Sequence, residues 1–529
     1  MKNCKYIFVI LSLFCFMACN VDPVLVDRYS EEIVYENEEN FDMRIYTFYE
    51  ILNGYGSGLA TDVLSDLVKI NQRYNDYNYL ALGLTRITSS ANLLNIWDNR
   101  YNHIRFCNEF LRDTEKYGDK LPDEIRKRGE AEVRFFRAMM YFDLARNHQG
   151  SVVLIKEITS ESLPICEPQE CWDFIAEDLD FAGENLPEKW IDSKRGRITK
   201  GGAYGLKAKA MLYAQRWKEA SDAAAKVIAL ADKGIYRLLP NYEDVFKEKR
   251  NDEAIIEYAY HAPELTHSFD KVYAPPSDPD NSRGEANPTE ECVSEFQMAD
   301  GRDFDWNDPE MAAAPYENRE PRFYASILYN GATWKASQKP NNPTIETFVG
   351  GKDGFTASGN LGTVTGYYIR KLLDESLTGY ANTGEQTYYY MRYAEVLLIH
   401  AEALARQGDI QGALFSLNKV RERAKMKNVT ATNLNEFMKL LRHERIVELA
   451  FEGHRYWDLR RWDLAKSVLN GVNFHGCRIV KTENGDFIYE LVDCDEGAKR
   501  YYDPKYNRFP IPKLELDRNL KCEQFDEWK

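Results

Sequence analysis

Basic residues are in deficit in this chain, with 68 Lys and Arg against 84 Asp and Glu and a formal net charge of −16. A surface of that sign repels phosphate backbones and argues against nucleic acid as a partner. Apolar runs of spanning length are missing, which excludes a polytopic membrane protein. Histidine is scarce, 8 in 529 residues, and His400-Ala401-Glu402 and His443-Glu444 lack the two-His, one-turn spacing of a zinc protease helix. No GxSxG elbow frames a serine nucleophile. The glycine-rich GYGSG at 54–58 follows a helix-like FYEIL instead of a strand, so it lacks the context that cradles phosphate and reads as a turn. No catalytic residue, metal ligand or cofactor site is assigned.

Cysteine is sparse as well. Of the 10, Cys4, Cys15 and Cys19 lie at the extreme N-terminus and seven in the body, so the seven cannot all pair internally. Cys477 and Cys494 bracket RIVKTENGDFIYELV, a strand–turn–strand reading with Asn484-Gly485 as the tight turn, and could meet at its open end. Cys166 and Cys171 have no His or further Cys at metal-ligand spacing and read as small buried apolar residues.

What is present begins with a leader. Lys2 and Lys5 precede an apolar run over residues 6–18, the charged start and hydrophobic stretch of a secretory signal, shorter than the roughly 20 residues a spanning helix needs. The run closes on Phe16-Met17-Ala18-Cys19, which resembles the site where bacterial lipoproteins are cleaved and lipidated. Residues 1–18 are then a signal peptide and Cys19 the acylated N-terminus; an ordinary signal peptide is the alternative. Lipid chains add about 0.8 kcal/mol per buried methylene, enough when multiple to hold a body on a membrane without a spanning helix.

Composition is otherwise globular, 44% hydrophobic and 29% charged. Helical periodicity dominates the N-terminal half. Trp97, Tyr101, Ile104 and Leu111 share one face, and Val133, Phe136, Met140 and Leu144 another, the second helix opened by Pro122 and closed by Gly150. A third helix follows Pro168 and a fourth starts at Thr199. Residues 203–230 and 394–424 resemble tetratricopeptide hairpins, turning near Gln215-Arg216-Trp217 and at Gly408-Asp409, with alanines at the close-packing positions. Between them, residues 261–390 hold 10 of the 19 prolines and 11 of the 31 glycines, so long helices cannot persist. Aromatics there, from Tyr273 through Trp306, Tyr316, Trp334 and Tyr368, are too many for a disordered linker, so ordered loops with short strands are expected. The whole chain is 13% aromatic, and some flat rings should remain on the surface.

Across nearly its whole length the chain resembles the SusD/RagB family. The resemblance is carried by LLNIWDNRYNHIRFCNEFL (93–111), RGEAEVRFFRAMMYFDLARNHQGSVVL (128–154), CWDFIAEDLDFAGENLP (171–187), GRITKGGAYGLKAKAMLYAQRWKEA (196–220), NPTEECVSEFQMADGRDFD (287–305), REPRFYASILYNGATW (319–334), YMRYAEVLLIHAEAL (390–404), HERIVELAFEGHRYWDLRRW (443–462) and FPIPKLELDRN (509–519). It implies a mainly α fold of four tetratricopeptide-like helix pairs with a loop-rich subdomain containing short strands. Residues 19–529 would form one body: scaffold over about 40–260 and 390–470, ligand-bearing insertion over about 261–390, and a β-hairpin at 477–494. It further implies a Bacteroidetes lipoprotein of the outer membrane, lipid-anchored and facing outward. Such a protein captures oligosaccharide, or in some members peptide, for a SusC-like TonB-dependent transporter.

A neutral glycan needs exposed aromatic platforms flanked by hydrogen bonders. Two clusters qualify. Tyr74, Tyr77 and Arg86 lie between helical stretches, and Trp306 sits among Asp303, Asp305 and Asn307, with Trp334 further on. Tyr74, Tyr77, Arg86, Trp306 and Trp334 are the expected ligand contacts, against packing aromatics and a solvated Arg as the alternative. Trp97 and Trp457 read as core. Two rival classes are a glycoside hydrolase using a pair among Glu290, Glu291, Asp303 and Asp305, and a repeat adaptor that recognises protein.

Overall fold

The computed structural model describes residues 31–72, 75–84, 96–278, 282–335, 337, 341–355, 362–379 and 383–529. The leader and Cys19 therefore lie outside the described residues. Among the described residues, eight helices reach 14 residues or more: α1 (Trp97–Tyr117), α2 (Asp123–His148), α3 (Pro168–Asn185), α4 (Lys200–Tyr213), α5 (Trp217–Asp232), α6 (Tyr393–Arg406), α7 (Ile410–Arg423) and α8 (Leu434–Glu448). Each packs on the next in chain order, so α5 meets α6 directly although about 160 residues separate them in sequence.

Local chemistry sets these boundaries. Pro122 precedes the first turn of α2, and Gln149 and Gly150 take left-handed backbone angles that end it, with the Gly150 amide donating to the Ala145 carbonyl. The Thr199 hydroxyl accepts from the Gly202 amide at 3.1 Å and starts α4. The two hairpins turn where expected, at Gln215 and at Gly408, the latter followed by Asp409 capping α7. Ala208, Ala220, Ala224, Ala401, Ala405 and Ala413 are all buried, which is what lets helix axes approach. The predicted faces of α1 and α2 carry Trp97, Ile104, Val133, Phe136, Met140 and Leu144 into the first core. Full burial of side chains of this size contributes about 1.5–3 kcal/mol each.

A second core lies under the loop-rich part and joins it to the scaffold. Tyr316, Phe323, Trp334, Tyr367 and Tyr368 are buried in it beside Ile446, Val447 and Phe451, with Tyr273, Trp306, Tyr324 and Tyr329 packed at its margin. The aromatic excess thus goes largely into packing where helices are short, and less of it reaches the surface than composition suggested. The strands are short and pair antiparallel: β1 (Val68–Ile70) with β3 (Ala286–Pro288), β2 (Ala254–Tyr258) with β6 (Tyr388–Arg392), β4 (Ile327–Leu328) with β5 (Tyr368–Ile369), and β7 (His475–Lys481) with β8 (Phe487–Asp493).

Register settles the cysteines. Cys477 faces Leu491 across the β7–β8 hairpin and lies in the second core, whereas Cys494 follows the last strand residue into a separate apolar cluster. No disulfide joins them, and all seven body cysteines are free. The GYGSG segment is a backbone crossing: a Cβ on Gly58 would fall 2.7 Å from the Glu452 carbonyl carbon, and one on Gly453 2.5 Å from the Gly58 Cα.

Two halves of the molecule meet at a buried ion network. Glu448, the last residue of α8, accepts from Arg322 at 3.0 Å, Arg392 at 2.6 Å and Arg423. Arg322 and Arg421 also pair with Glu444, Arg322 with Glu320, Arg392 and Arg423 with Glu253, and Arg392 and Lys371 with Glu452. Five cations thus meet five carboxylates, none of them exposed. Burial alone would raise the Glu448 carboxyl, but the surrounding guanidiniums outweigh it and hold the group well below the usual carboxylate range. Removing one partner leaves an uncompensated buried charge, so Arg392→Met should lower unfolding free energy by about 3–5 kcal/mol in a urea titration.

Asp62 is the opposite case. Its side chain is fully buried, one oxygen accepts from the Gly453 amide at 3.0 Å, and the other has no partner. Burial pushes its carboxyl up to about 8 from 3.8, with the Gly453 amide opposing. A folded value above the unfolded one contributes stability that is complete below about pH 3.8 and lost as pH rises towards 8. Asp62→Asn should therefore gain on wild type in thermal melts between pH 5 and pH 8.5, and a pH-independent difference would contradict this.

Candidate functional site

The first candidate surface forms where β1 meets β3. The register Val68↔Pro288 and Ile70↔Ala286 carries the two chains outward side by side, and the pairing continues with the Asn71 amide donating to the Glu285 carbonyl at 3.0 Å. The Asn71 side chain donates to the Gly362 carbonyl at 2.7 Å, and Asn78 donates to the carbonyls of Ile70 and Gln72 at 2.9 and 2.7 Å. These buried amides hold loop backbone that no ladder satisfies.

On this frame, Gln72 and Arg283 both donate to one oxygen of Glu285, at 2.6 and 2.7 Å. Burial raises the Glu285 carboxyl, with Arg283 opposing. Tyr77 stands in the first turn of the helix Asp76–Ala81, which Asn75 caps by accepting from the Tyr77 amide at 2.9 Å. Tyr77 is half-buried, and so is Tyr273, which tilts against Phe269 with ring centroids 4.5 Å apart. Burial, then the neighbouring Glu285 carboxylate and the Tyr77 phenol, push the Tyr273 hydroxyl above its ordinary range. Two partly uncovered phenol rings thus lie beside an exposed guanidinium, an amide and a carboxylate. Tyr74 and Arg86 lie outside the described residues. Tyr273, Arg283 and Glu285 escaped the sequence reading of the site, because only the β1–β3 pairing brings residue 285 to residue 72.

The second cluster is separate. Trp306 is half-buried, its indole N–H donates to Glu290 at 2.9 Å, and its ring meets Phe304 edge-on at 5.3 Å. Asp303, Asp305 and Asn307 around it are exposed. Trp334 differs from the expectation: it is 1% exposed, its indole N–H donates to Asp278 at 2.8 Å, and it belongs to the second core. A ring with no free face is no platform, so Trp334 is corrected to a packing residue. Trp97 and Trp457 are core, as their helical setting implied.

The carboxylates considered for hydrolysis are engaged. Glu290 is buried and accepts from Trp306, Ser294 and Tyr367, the last at 2.6 Å, while Glu291 holds the His475 amide and ring. Burial raises the Glu290 carboxyl against these donors. His400 bonds Ser416, and Glu402 and Glu444 are ion-paired with arginines in the interior, so both His-containing pairs are structural. Among the described residues no group of His, Cys, Asp and Glu could hold a metal ion, and no helix is long and apolar enough to cross a membrane.

A helical-repeat scaffold thus carries polar and aromatic loops on one added layer, where functional groups are commonly placed. The SusD family model matches residues 252–528, and the chain belongs to that family. A SusD-like protein of Bacteroides ovatus is 25% identical over 471 residues, covering 83% of this chain and 80% of its own length. A SusD-like protein of Bacteroides fragilis superimposes with a TM-score of 0.79 at 27% identity, covering 93% of this chain and 97% of that one. A SusD-like carbohydrate binding protein of the same species has a TM-score of 0.79 at 23% identity, with 92% and 99% coverage.

The two tryptophans separate core from surface. Trp334→Ala should cost about 3–5 kcal/mol in urea unfolding, as for other fully buried aromatics. Trp306→Ala should cost clearly less, and equal losses would place both rings in the core.

Proposed function

We propose that this chain is a cell-surface glycan-binding lipoprotein that holds oligosaccharide at the outer membrane and passes it to a SusC-like TonB-dependent transporter. The observation that carries the reading is the juxtaposition of Tyr77 and Tyr273 with Gln72, Arg283 and Glu285. Phenol rings accept the apolar C–H face of a sugar, and the flanking groups supply donors and acceptors for its hydroxyls. A SusD-like fold shared with a carbohydrate binding protein supports the same reading. Tyr74 and Arg86 complete this surface in the proposal, Trp306 offers a second platform, and acylated Cys19 is the anchor.

Carbohydrate and peptide arrays probed with the mature chain test the ligand class. Binding to a glycan is expected, with Tyr77→Ala and Trp306→Ala each weakening it about tenfold, which is about 1.4 kcal/mol. Binding to peptides alone would replace the carbohydrate reading, and wild-type glycan affinity in both variants would remove the site. Affinity capture from outer membranes should recover a barrel transporter, and recovery that survives Cys19→Ser with an export signal retained would show that the anchor is dispensable for pairing.

A further inference from the structure

A cavity of about 260 Å³, lined by none of these aromatic platforms, lies between α1, α2 and α4 of the scaffold and strand β6, with exposed Asn53 and Ser57 at its rim. Its polar floor is unevenly charged. Arg100 on α1 donates to one oxygen of Asp143 at 2.9 Å and Arg146 to the other at 3.2 Å, so two guanidiniums share one carboxylate. Both remain partly accessible, with side-chain exposures of 24% and 18%. The other charges at the cavity are matched: Lys209 pairs with Glu395 at 3.0 Å, and Glu452 with Lys371 and Arg392. His454 adds none, because burial drives its ring well below the usual histidine range. One positive charge is left over.

Two of the lining residues also carry an unused donor. The Tyr390 hydroxyl and the Arg146 Nε are buried without a hydrogen-bond partner. Tyr390 lines the same cavity as Arg100, Asp143 and Arg146, and burial, then the Asp143 carboxylate, raise its phenol while Arg146 opposes them. The Arg146 guanidinium lies over the Trp457 ring at 4.0 Å and is thereby fixed in plane. Unpaired buried donors are costly, and an acceptor-rich guest relieves them. Tyr213, Tyr388 and Tyr390 supply flat walls. The volume falls just short of the roughly 300–1,000 Å³ typical of drug-sized ligands, so the guest is a single ring.

We propose that this cavity binds a monosaccharide carboxylate, its acid group on Arg100 and Arg146 and a ring or hydroxyl oxygen on the Tyr390 hydroxyl. The inference stands apart from the glycan surface at the β1–β3 junction and does not depend on it.

Titration calorimetry of the mature chain with D-glucuronate, D-glucose and acetate tests it at pH 7. Glucuronate should bind, with glucose about tenfold weaker for want of the charge, and acetate weaker for want of the hydroxyls. Tyr390→Phe deletes only the unpaired hydroxyl and should weaken glucuronate about fivefold. Arg100→Gln removes the surplus charge and should bring glucuronate down to the level of glucose. Absence of glucuronate binding, equal affinity for glucose or acetate, or indifference to Tyr390→Phe overturns the proposal, and that last variant keeps the test decisive if Arg100→Gln fails to fold.

Discussion

At the carboxylate of Glu448 the loop-rich layer and the helical scaffold are joined by charge. Glu448 ends a helix, where the backbone dipole already disfavours negative charge, and it is buried. Three arginines make that position tenable, and each comes from a different place: Arg322 from the loop-rich layer, Arg392 from the end of β6, Arg423 from the end of α7. An ion network of this kind adds little net stability over apolar packing, because desolvation of ten charged groups offsets most of the attraction. Its hydrogen bonds tie the loop-rich layer, through Arg322, to the ends of α7, α8 and β6.

Much of the scaffold was legible in advance. The boundaries of α2 and α4 follow from Pro122, Gly150 and Thr199, since caps act within one turn and need no distant partner. The same holds for Gly408 and Asp409, and for Asn484-Gly485, whose Gly485 takes a left-handed angle between β7 and β8. The network itself left a trace, with Glu444, Glu448 and Glu452 at four-residue spacing in a segment that reads as amphipathic helix. Charge on a helix is ordinarily solvated, so periodicity gave no reason to bury it.

Ring exposure at the candidate site was less legible than the scaffold, and for physical reasons. Tyr77 and Trp306 keep partly open faces, whereas Trp334 has the same chemistry and a similar loop setting but is enclosed. What separates Trp306 from Trp334 is whether the rest of the chain folds over the ring, and that is decided by residues such as Asp278 and Tyr368 that no local pattern identifies. Cys477 and Cys494 show the same limit in a strand: bracketing a hairpin is a statement about sequence, but meeting across it requires opposite register positions, and Leu491 holds the one Cys477 faces.

The antiparallel contact of Val68–Ile70 with Ala286–Pro288 also has a temporal side. Hairpins such as α4–α5 and α6–α7 join neighbours in sequence and close quickly, whereas pairing strands so far apart must await closure of a very long loop. The β1–β3 junction is therefore a late product of chain assembly, absent from any nascent polypeptide that has not yet reached residue 286. A chain that stalls before that point would present helices without the paired strands that hold Gln72 beside Glu285.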